Sequence, residues 1–273
     1  MIKKYSIVLK VKKYLVIGNP IEHSLSPNLH NYWIKENNID AVYDKKRIDE
    51  SELKNIVSEV KEGKISGINV TVPFKKAIIP FLDKSSPEAE DTQSVNTIYL
   101  QDGKTIGHNT DIAGFELAIK YAKYDLTNKK IFVLGAGGVT PSIIYSLRKM
   151  KVSKITLSNR TKEKAESLKN LFKDIEIVDW GETVNFDMII NATSIGLKNE
   201  DEIKLDYTDM GSNKLFYDVI YNPRQTKFLS KAKQLGNQIE NGKMMFVYQA
   251  HQAFTIWHKI MPEIDDETIK LLD

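Results

Sequence analysis

A two-domain α/β architecture is the fold class that this 273-residue chain predicts, and three observations carry it. Short Val- and Ile-rich runs ("YLVIG", "GINVTV", "KIFVLG", "KITLSNR", "FDMIINAT", "LFYDVIY") alternate with helix-length amphipathic stretches, as buried parallel strands do in βαβ units. One segment, "KIFVLGAGGVTPSIIYSLRKM", reads as strand, glycine turn and helix in that order. The runs are also unevenly spread: two lie in the first half, and four follow in close succession between residues 129 and 220. The expected division is a first α/β domain over residues 1–110, completed by C-terminal helices from about residue 240 to 273. A Rossmann-like second domain covers residues 111–239, with a cleft between the two.

From the N-terminus, "MIKKYSIVLKVKKY" begins basic but has no apolar run long enough for a signal-peptide core. No later segment approaches the roughly 20 apolar residues of a membrane span. The next stretch, "GNPIEHSLSPNLHN" at residues 18–31, follows the apolar run Tyr14 to Ile17 and sets Ser24 and Ser26 in a turn-rich loop. Such serines commonly bond their own backbone. A helical pattern, "SPNLHNYWIKENN", comes after them.

In "GINVTVPFKK", Asn69 and Thr71 alternate with apolar residues and share a face at the end of a strand, and Lys75 follows the proline that stops it. The least structured-looking pieces are residues 83–91 and 197–206. In "GHNTDIAG", Asp111 opens a helical pattern. Read singly, Asp111 is a first-turn acid or helix N-cap and Lys75 a surface lysine. The final segment, "MMFVYQAHQAFTIWHKIM", is apolar on more than one side, as in a helix buried between domains. Residues 111–124 and 243–260 are the expected linking helices of a cleft that closes.

The glycine turn is the densest signal for a ligand. Gly135 permits the tight turn, Gly137 lets backbone approach a pyrophosphate, and amides at the helix start bind phosphate oxygens. Ala136, Gly138 and Val139 complete the cofactor-binding turn. Thr140 stands where a third small residue is usual, and Pro141 gives up a first-turn amide that the helix does not use. An NAD enzyme would put an acid at the end of the following strand, whereas this chain has Asn159, Arg160 and Thr161, with Lys164 beyond. An arginine there suits a 2′-phosphate, so NADP is the expected cofactor. Thr161 is also placed to cap the next helix.

Composition narrows the rest. The 39 basic and 36 acidic residues are spread along the chain, so neither nucleic acid nor an anionic membrane is an expected partner. The absence of cysteine rules out disulfides and thiolate sites and suits a reducing compartment, with the cytoplasm expected. His23, His30, His108, His251 and His258 show no metal-ligand spacing, and no metal is expected.

Taken together, the motifs resemble the shikimate dehydrogenase family. The matches are "G-x-P-I-x-H-S-x-S-P-x-x-H-N" at 18–31, "N-V-T-x-P-x-K" at 69–75, "V-N-T" at 95–97 and "G-x-N-T-D-x-x-G" at 107–114. They continue with "G-A-G-G" at 135–138, "N-R-T-x-x-K-A" at 159–165, "N-A-T-S-x-G" at 191–196, "D-x-x-Y-x-P-x-x-T" at 218–226 and "G-x-x-M-x-x-x-Q-A" at 242–250. The resemblance implies NADP-linked interconversion of 3-dehydroshikimate and shikimate, a step of aromatic amino-acid biosynthesis. It implies that Ser24 and Ser26 grip the substrate carboxylate with Tyr221 nearby, and that Asn69, Thr71, Lys75, Asn96, Asp111 and Gln249 surround the ring hydroxyls. Lys75 and Asp111 are the implied catalytic pair. Ala192, Thr193 and Ser194 then line the nicotinamide end, and Gly242 and Met245 lie beside it, although Met245 suits plain core packing equally. Monomer and homodimer are both compatible with the sequence. Two other readings are a quinate/shikimate dehydrogenase using NAD and a non-catalytic nucleotide or metabolite sensor of the same fold. A sensor has no chemical need for both Lys75 and Asp111.

Overall fold

A computed structural model describes residues 11–198, 200–207 and 210–272; the basic start of the chain lies outside the described residues. The first sheet has six strands: β1 (Lys12–Gly18), β2 (Ala41–Arg47), β3 (Gly67–Val70), β4 (Lys84–Ser85), β5 (Thr97–Gln101) and β6 (Lys104–His108). Their spatial order is β2-β1-β3-β5-β6-β4, with β1 parallel to both neighbours and β5 antiparallel to both of its own. Side chains alternate across β1. Tyr14 and Val16 join Leu29 and Trp33 of α1 (Ser26–Glu36) on one face, while Leu15 and Ile17 join Leu53, Ile56, Val57 and Val60 of α2 (Leu53–Lys61) on the other.

This sheet corrects the expectation of two strands in the first half. β2 is a mostly exposed edge strand whose apolar residues end at Tyr43, and β5 and β6 are short and form a hairpin. Asp102 (φ 51°) and Gly103 (φ 71°) turn that hairpin, the left-handed pair that a two-residue turn requires. Residues 83–91, among the least structured-looking in the sequence, hold β4 and much of α3 (Pro87–Thr92), whose N-cap Ser86 accepts the Ala89 N–H at 3.3 Å.

The second sheet is wholly parallel. Its strands are β7 (Lys130–Leu134), β8 (Lys154–Ser158), β9 (Glu176–Val178), β10 (Met188–Asn191), β11 (Leu215–Asp218) and β12 (Gln238–Glu240), in the order β12-β11-β10-β7-β8-β9. On β7, Ile131 and Val133 face one core and Phe132 and Leu134 the other. The helices α4 (Asp111–Tyr121), α5 (Thr140–Lys149), α6 (Lys162–Leu171) and α7 (Lys227–Gln234) cover the two faces. Strand order reverses at β7, so the ligand crevice of such a sheet lies beyond the carboxyl ends of β7 and β10. The edge strands β9 and β12 add to the four expected runs; each is three residues long and carries a single central isoleucine. Residues 197–206 contain no helix or strand among the described residues, as expected.

A long helix, α8 (Lys243–His258), serves both sheets, ahead of the short α9 (Asp266–Lys270). Its Met245 packs in the core under the second sheet, whereas Val247, Ala250 and Phe254 pack under the first. Gly114 lets α4 cross it closely: a Cβ there would lie 2.9 Å from the Met245 carbonyl oxygen. No described helix is long and apolar enough to cross a membrane.

Candidate active site

Two loops meet at the carboxyl ends of β1 and β3. A Cβ on Gly18 would lie 2.5 Å from the Thr71 methyl, so only glycine lets the 18–26 loop pass the 71–75 loop. The Asn19 N–H donates to the Val72 carbonyl at 3.0 Å, and the Thr71 N–H to the Ile17 carbonyl at 2.9 Å. Ser24 does bond its own backbone, its Oγ accepting the Ser26 N–H at 3.3 Å. Ser26, buried at the start of α1, also turns its hydroxyl to the Tyr43 phenol. Tyr221 approaches the same loop: burial raises its pKa above the ordinary 10, opposed by a hydrogen bond from the Leu25 N–H.

A continuous polar network runs beneath these loops. The Tyr43 hydroxyl donates to Asn69 Oδ1 at 2.7 Å, and Asn69 Nδ2 donates to the Asn96 carbonyl and Thr97 Oγ1, each at 3.1 Å. Asn96 Oδ1 accepts the Thr110 N–H at 2.8 Å, and Asn96 Nδ2 donates to Asp111 Oδ1 at 2.9 Å. Asp111 Oδ2 takes Lys75 Nζ at 2.5 Å, with both side chains about nine-tenths buried. Lys75 is therefore no surface lysine. Asp111 lies in the first turn of α4 and spends its oxygens on Asn96 and Lys75, not on capping. Tyr43 is a member of this network that sequence reasoning missed, because it sits in an edge strand without a motif. Burial drives its hydroxyl well above the usual phenol range, against the opposing hydrogen bond from Ser26.

Beyond β7, Gly135 adopts φ 106°, where a Cβ would come within 2.7 Å of the Thr193 methyl. Gly137 and Gly138 are exposed, and a Cβ on either would meet nothing nearer than 3.7 Å, so their backbone is open for a ligand. For Gly138 that nearest atom is Lys75 Cδ, which sets the glycine turn beside the lysine–carboxylate pair. Ser94 Oγ reinforces the approach by donating to the Gly138 carbonyl at 3.3 Å. Thr140 fits without disrupting the turn, since its buried hydroxyl donates to the Gly135 carbonyl at 2.9 Å.

Asn159 ties the turn to the next loop, accepting the Ala136 N–H at 2.9 Å and donating to the Thr161 carbonyl at 2.7 Å. Thr161 occupies the N-cap of α6 but makes no side-chain cap bond. Arg160 and Lys164 are exposed and form no ion pair among the described residues. An open phosphate-binding backbone followed by an uncommitted arginine fits a dinucleotide carrying a 2′-phosphate.

The remaining positions lie at the start of α5, directly after β10 and on α8 or its N-cap. Val139 is half-buried at the N-cap of α5, and Ala192, Thr193 and Ser194 follow β10 directly. Gly242 is buried, and a Cβ there would meet the Val219 carbonyl oxygen at 2.0 Å. Gln249 projects from α8 and donates to the Phe246 carbonyl at 3.0 Å. Met245 is 6% exposed, the packing role that its side chain suits. No cluster of potential metal ligands occurs among the described residues.

A doubly wound sheet with an open glycine turn at its switch point, facing a buried lysine–carboxylate pair, defines a nicotinamide-dinucleotide-dependent oxidoreductase. Comparison with known proteins sharpens this. A family model for the shikimate dehydrogenase substrate binding domain matches residues 16–98, and one for shikimate / quinate 5-dehydrogenase matches residues 116–228. Shikimate dehydrogenase (NADP(+)) of Pelagibacter ubique is 60% identical over 262 residues, covering 96% of this chain and 99% of that one. The crystal structure of shikimate dehydrogenase from Aquifex aeolicus superimposes with a TM-score of 0.89 at 38% identity, covering 97% and 98% of the two chains. Shikimate 5-dehydrogenase from Thermus thermophilus, solved with NADP(H) and shikimate, gives 0.87 at 29% identity, covering 96% and 98%. The chain belongs to the shikimate dehydrogenase family.

Proposed function

We propose that the protein catalyses the reversible NADP-linked reduction of 3-dehydroshikimate to shikimate, at a site shared by the two sheets. The observation that carries this reading is the buried Lys75–Asp111 pair set against the glycine turn at Gly138. In it, residues 1–110 with the helices after residue 240 hold the substrate, and residues 111–239 hold NADP. Ser24, Ser26 and Tyr221 receive the carboxylate, and Asn69, Thr71, Asn96 and Gln249 receive the ring hydroxyls. Gly135, Ala136, Gly137, Gly138 and Val139 form the pyrophosphate turn, with Asn159, Arg160, Thr161 and Lys164 at the ribose phosphate. Ala192, Thr193, Ser194, Gly242 and Met245 flank the nicotinamide end.

NADPH, when bound, supplies the hydride. Among the described residues Lys75 donates one hydrogen bond, to Asp111, which leaves donors to spare for the substrate oxygen. Its charge stabilises the alkoxide that develops at C3, and it delivers the proton that completes the alcohol. Asp111 holds the ammonium in place and is itself oriented by Asn96. A cysteine-free chain suits the reducing cytoplasm, where we place the enzyme.

The test follows nicotinamide absorbance with purified protein, crossing shikimate and quinate with NADP and NAD. Turnover of shikimate with NADP is the expected result. A preference for quinate or NAD would overturn the specificity assigned to Ser24, Ser26 and Arg160, and no turnover in any combination would overturn the enzymatic reading.

A further inference from the structure

Asp218 and Thr226 open and close the motif "D-x-x-Y-x-P-x-x-T", and neither has a part in the reaction derived above. Asp218 ends β11 directly opposite Asn191 at the end of β10, and both are fully buried. The carboxylate accepts three neutral donors: Asn191 Nδ2 and the Ile220 N–H at Oδ1, each at 3.0 Å, and the Thr226 hydroxyl at Oδ2, at 2.7 Å.

Each bond reaches a different piece of the crevice. A carboxylate accepts only, so it decides which way the two-sided Asn191 amide sits. With its Nδ2 toward Asp218, Asn191 turns Oδ1 to the Thr193 N–H at 3.0 Å and the Thr193 hydroxyl at 2.7 Å, and the Thr193 hydroxyl accepts the Ile195 N–H at 3.0 Å. That closes the turn packed on Gly135. The bonds to Ile220 and Thr226 close the loop carrying Tyr221. The two loops also touch, since a Cβ on Gly196 would lie 3.1 Å from the Thr226 methyl. Burial raises the Asp218 carboxyl to a pKa of about 6, against the three hydrogen bonds that lower it, so its neutral donors offset its desolvation only in part.

We propose that Asp218 is a positioning residue that locks the cofactor-side turn at residues 191–196 and the Tyr221 loop at residues 219–226 into one arrangement. The proposal rests on the function given above. It makes NADPH affinity and shikimate affinity depend on one buried carboxylate that touches neither ligand.

Asp218→Asn keeps the shape and the acceptor facing Asn191 and Ile220. It presents an N–H to the Thr226 hydroxyl, which already accepts the Leu229 N–H at 3.4 Å. Thr226→Val removes the same link while keeping the contact with Gly196. For each variant, NADPH binding without substrate is titrated by fluorescence, and the shikimate KM is measured at saturating NADP. The expected result is that the NADPH Kd and the shikimate KM both rise, by about tenfold in Asp218→Asn, while Tyr221→Phe raises only the shikimate KM. A fall in melting temperature with both affinities unchanged, or a shift confined to one ligand, would overturn the proposal. Should Asp218→Asn not fold, the same two readouts on Thr226→Val decide. Wild-type protein that neither binds NADPH nor oxidises shikimate would refute the proposed function and this inference with it. Wild-type protein that does both leaves the variants to judge Asp218 alone.

Discussion

The two halves of the site solve opposite problems. Beside the first sheet, Lys75, Asp111, Asn96, Asn69 and Tyr43 are buried and bonded to one another. Beside the second, the glycine backbone and the Arg160 and Lys164 side chains stand open to solvent. A charge that must stabilise a developing oxyanion is worth most when it is fixed and dry, because no reorganisation is then needed as the reaction proceeds. A cofactor that must leave on every cycle is better held by exposed groups that can be rehydrated. The proposed function puts chemistry in the first half and cofactor choice in the second, and each prediction probes that division.

Lys75→Ala carries the largest expected effect, a fall in kcat of about a thousandfold with the NADPH Kd nearly unchanged. Steady-state kinetics and a binding titration on the same preparation check it; equal damage to both would break the division. Arg160→Leu should do the reverse. Losing a charge-assisted contact should raise the KM for NADP by about 10–100-fold while leaving that for NAD and the kcat almost untouched. Tyr43→Phe should raise the shikimate KM by about 3–10-fold without moving the NADPH Kd, because Ser26 and Asn69 lose the hydroxyl that links them.

The smallest effects distinguish the halves by pH. His30 is fully buried, has no hydrogen-bond partner among the described residues and is stacked on Tyr43 at 4.1 Å. Burial, and to a lesser degree the nearby His258, lowers its pKa to about 3. The unfolded chain takes up that proton first, so this group costs the fold stability as pH falls from about 6.5 to 3. Asp218 works the other way. Its raised pKa means that the folded state takes up the proton first, so stability from this group rises as pH falls from about 6 to 4. Denaturant melts of His30→Phe and Asp218→Asn across that range should lose these two dependences, with opposite signs.

Legibility in the sequence follows the same division. The glycine turn, Arg160 and the runs of β7, β8, β10 and β11 are visible because backbone cradles and doubly covered parallel strands demand particular residues in consecutive order. β2, β9 and β12 are not visible, because an edge strand exposed on one side needs no continuous apolar run. The β5–β6 hairpin did carry a local signal, Asp102–Gly103, and α3 carried another in Ser86–Pro87. Ser24, Ser26, Lys75 and Asp111 could be picked out only through the family's ordered motifs. Tyr43, the partner of Ser26 and Asn69, could not, since its bond to Asn69 spans 26 residues and depends on the register of the first sheet. Asp218 stood in a motif, but its three bonds required the pairing of β10 with β11.

The most direct test of the division of labour is a double-mutant cycle of Lys75→Ala and Arg160→Leu, read as kcat/KM for NADP with shikimate saturating. If the halves act separately, the two losses multiply, with the first entirely in kcat and the second entirely in KM. A double variant no worse than Lys75→Ala alone, or a Lys75→Ala loss that appears in the KM for NADP, would contradict the account.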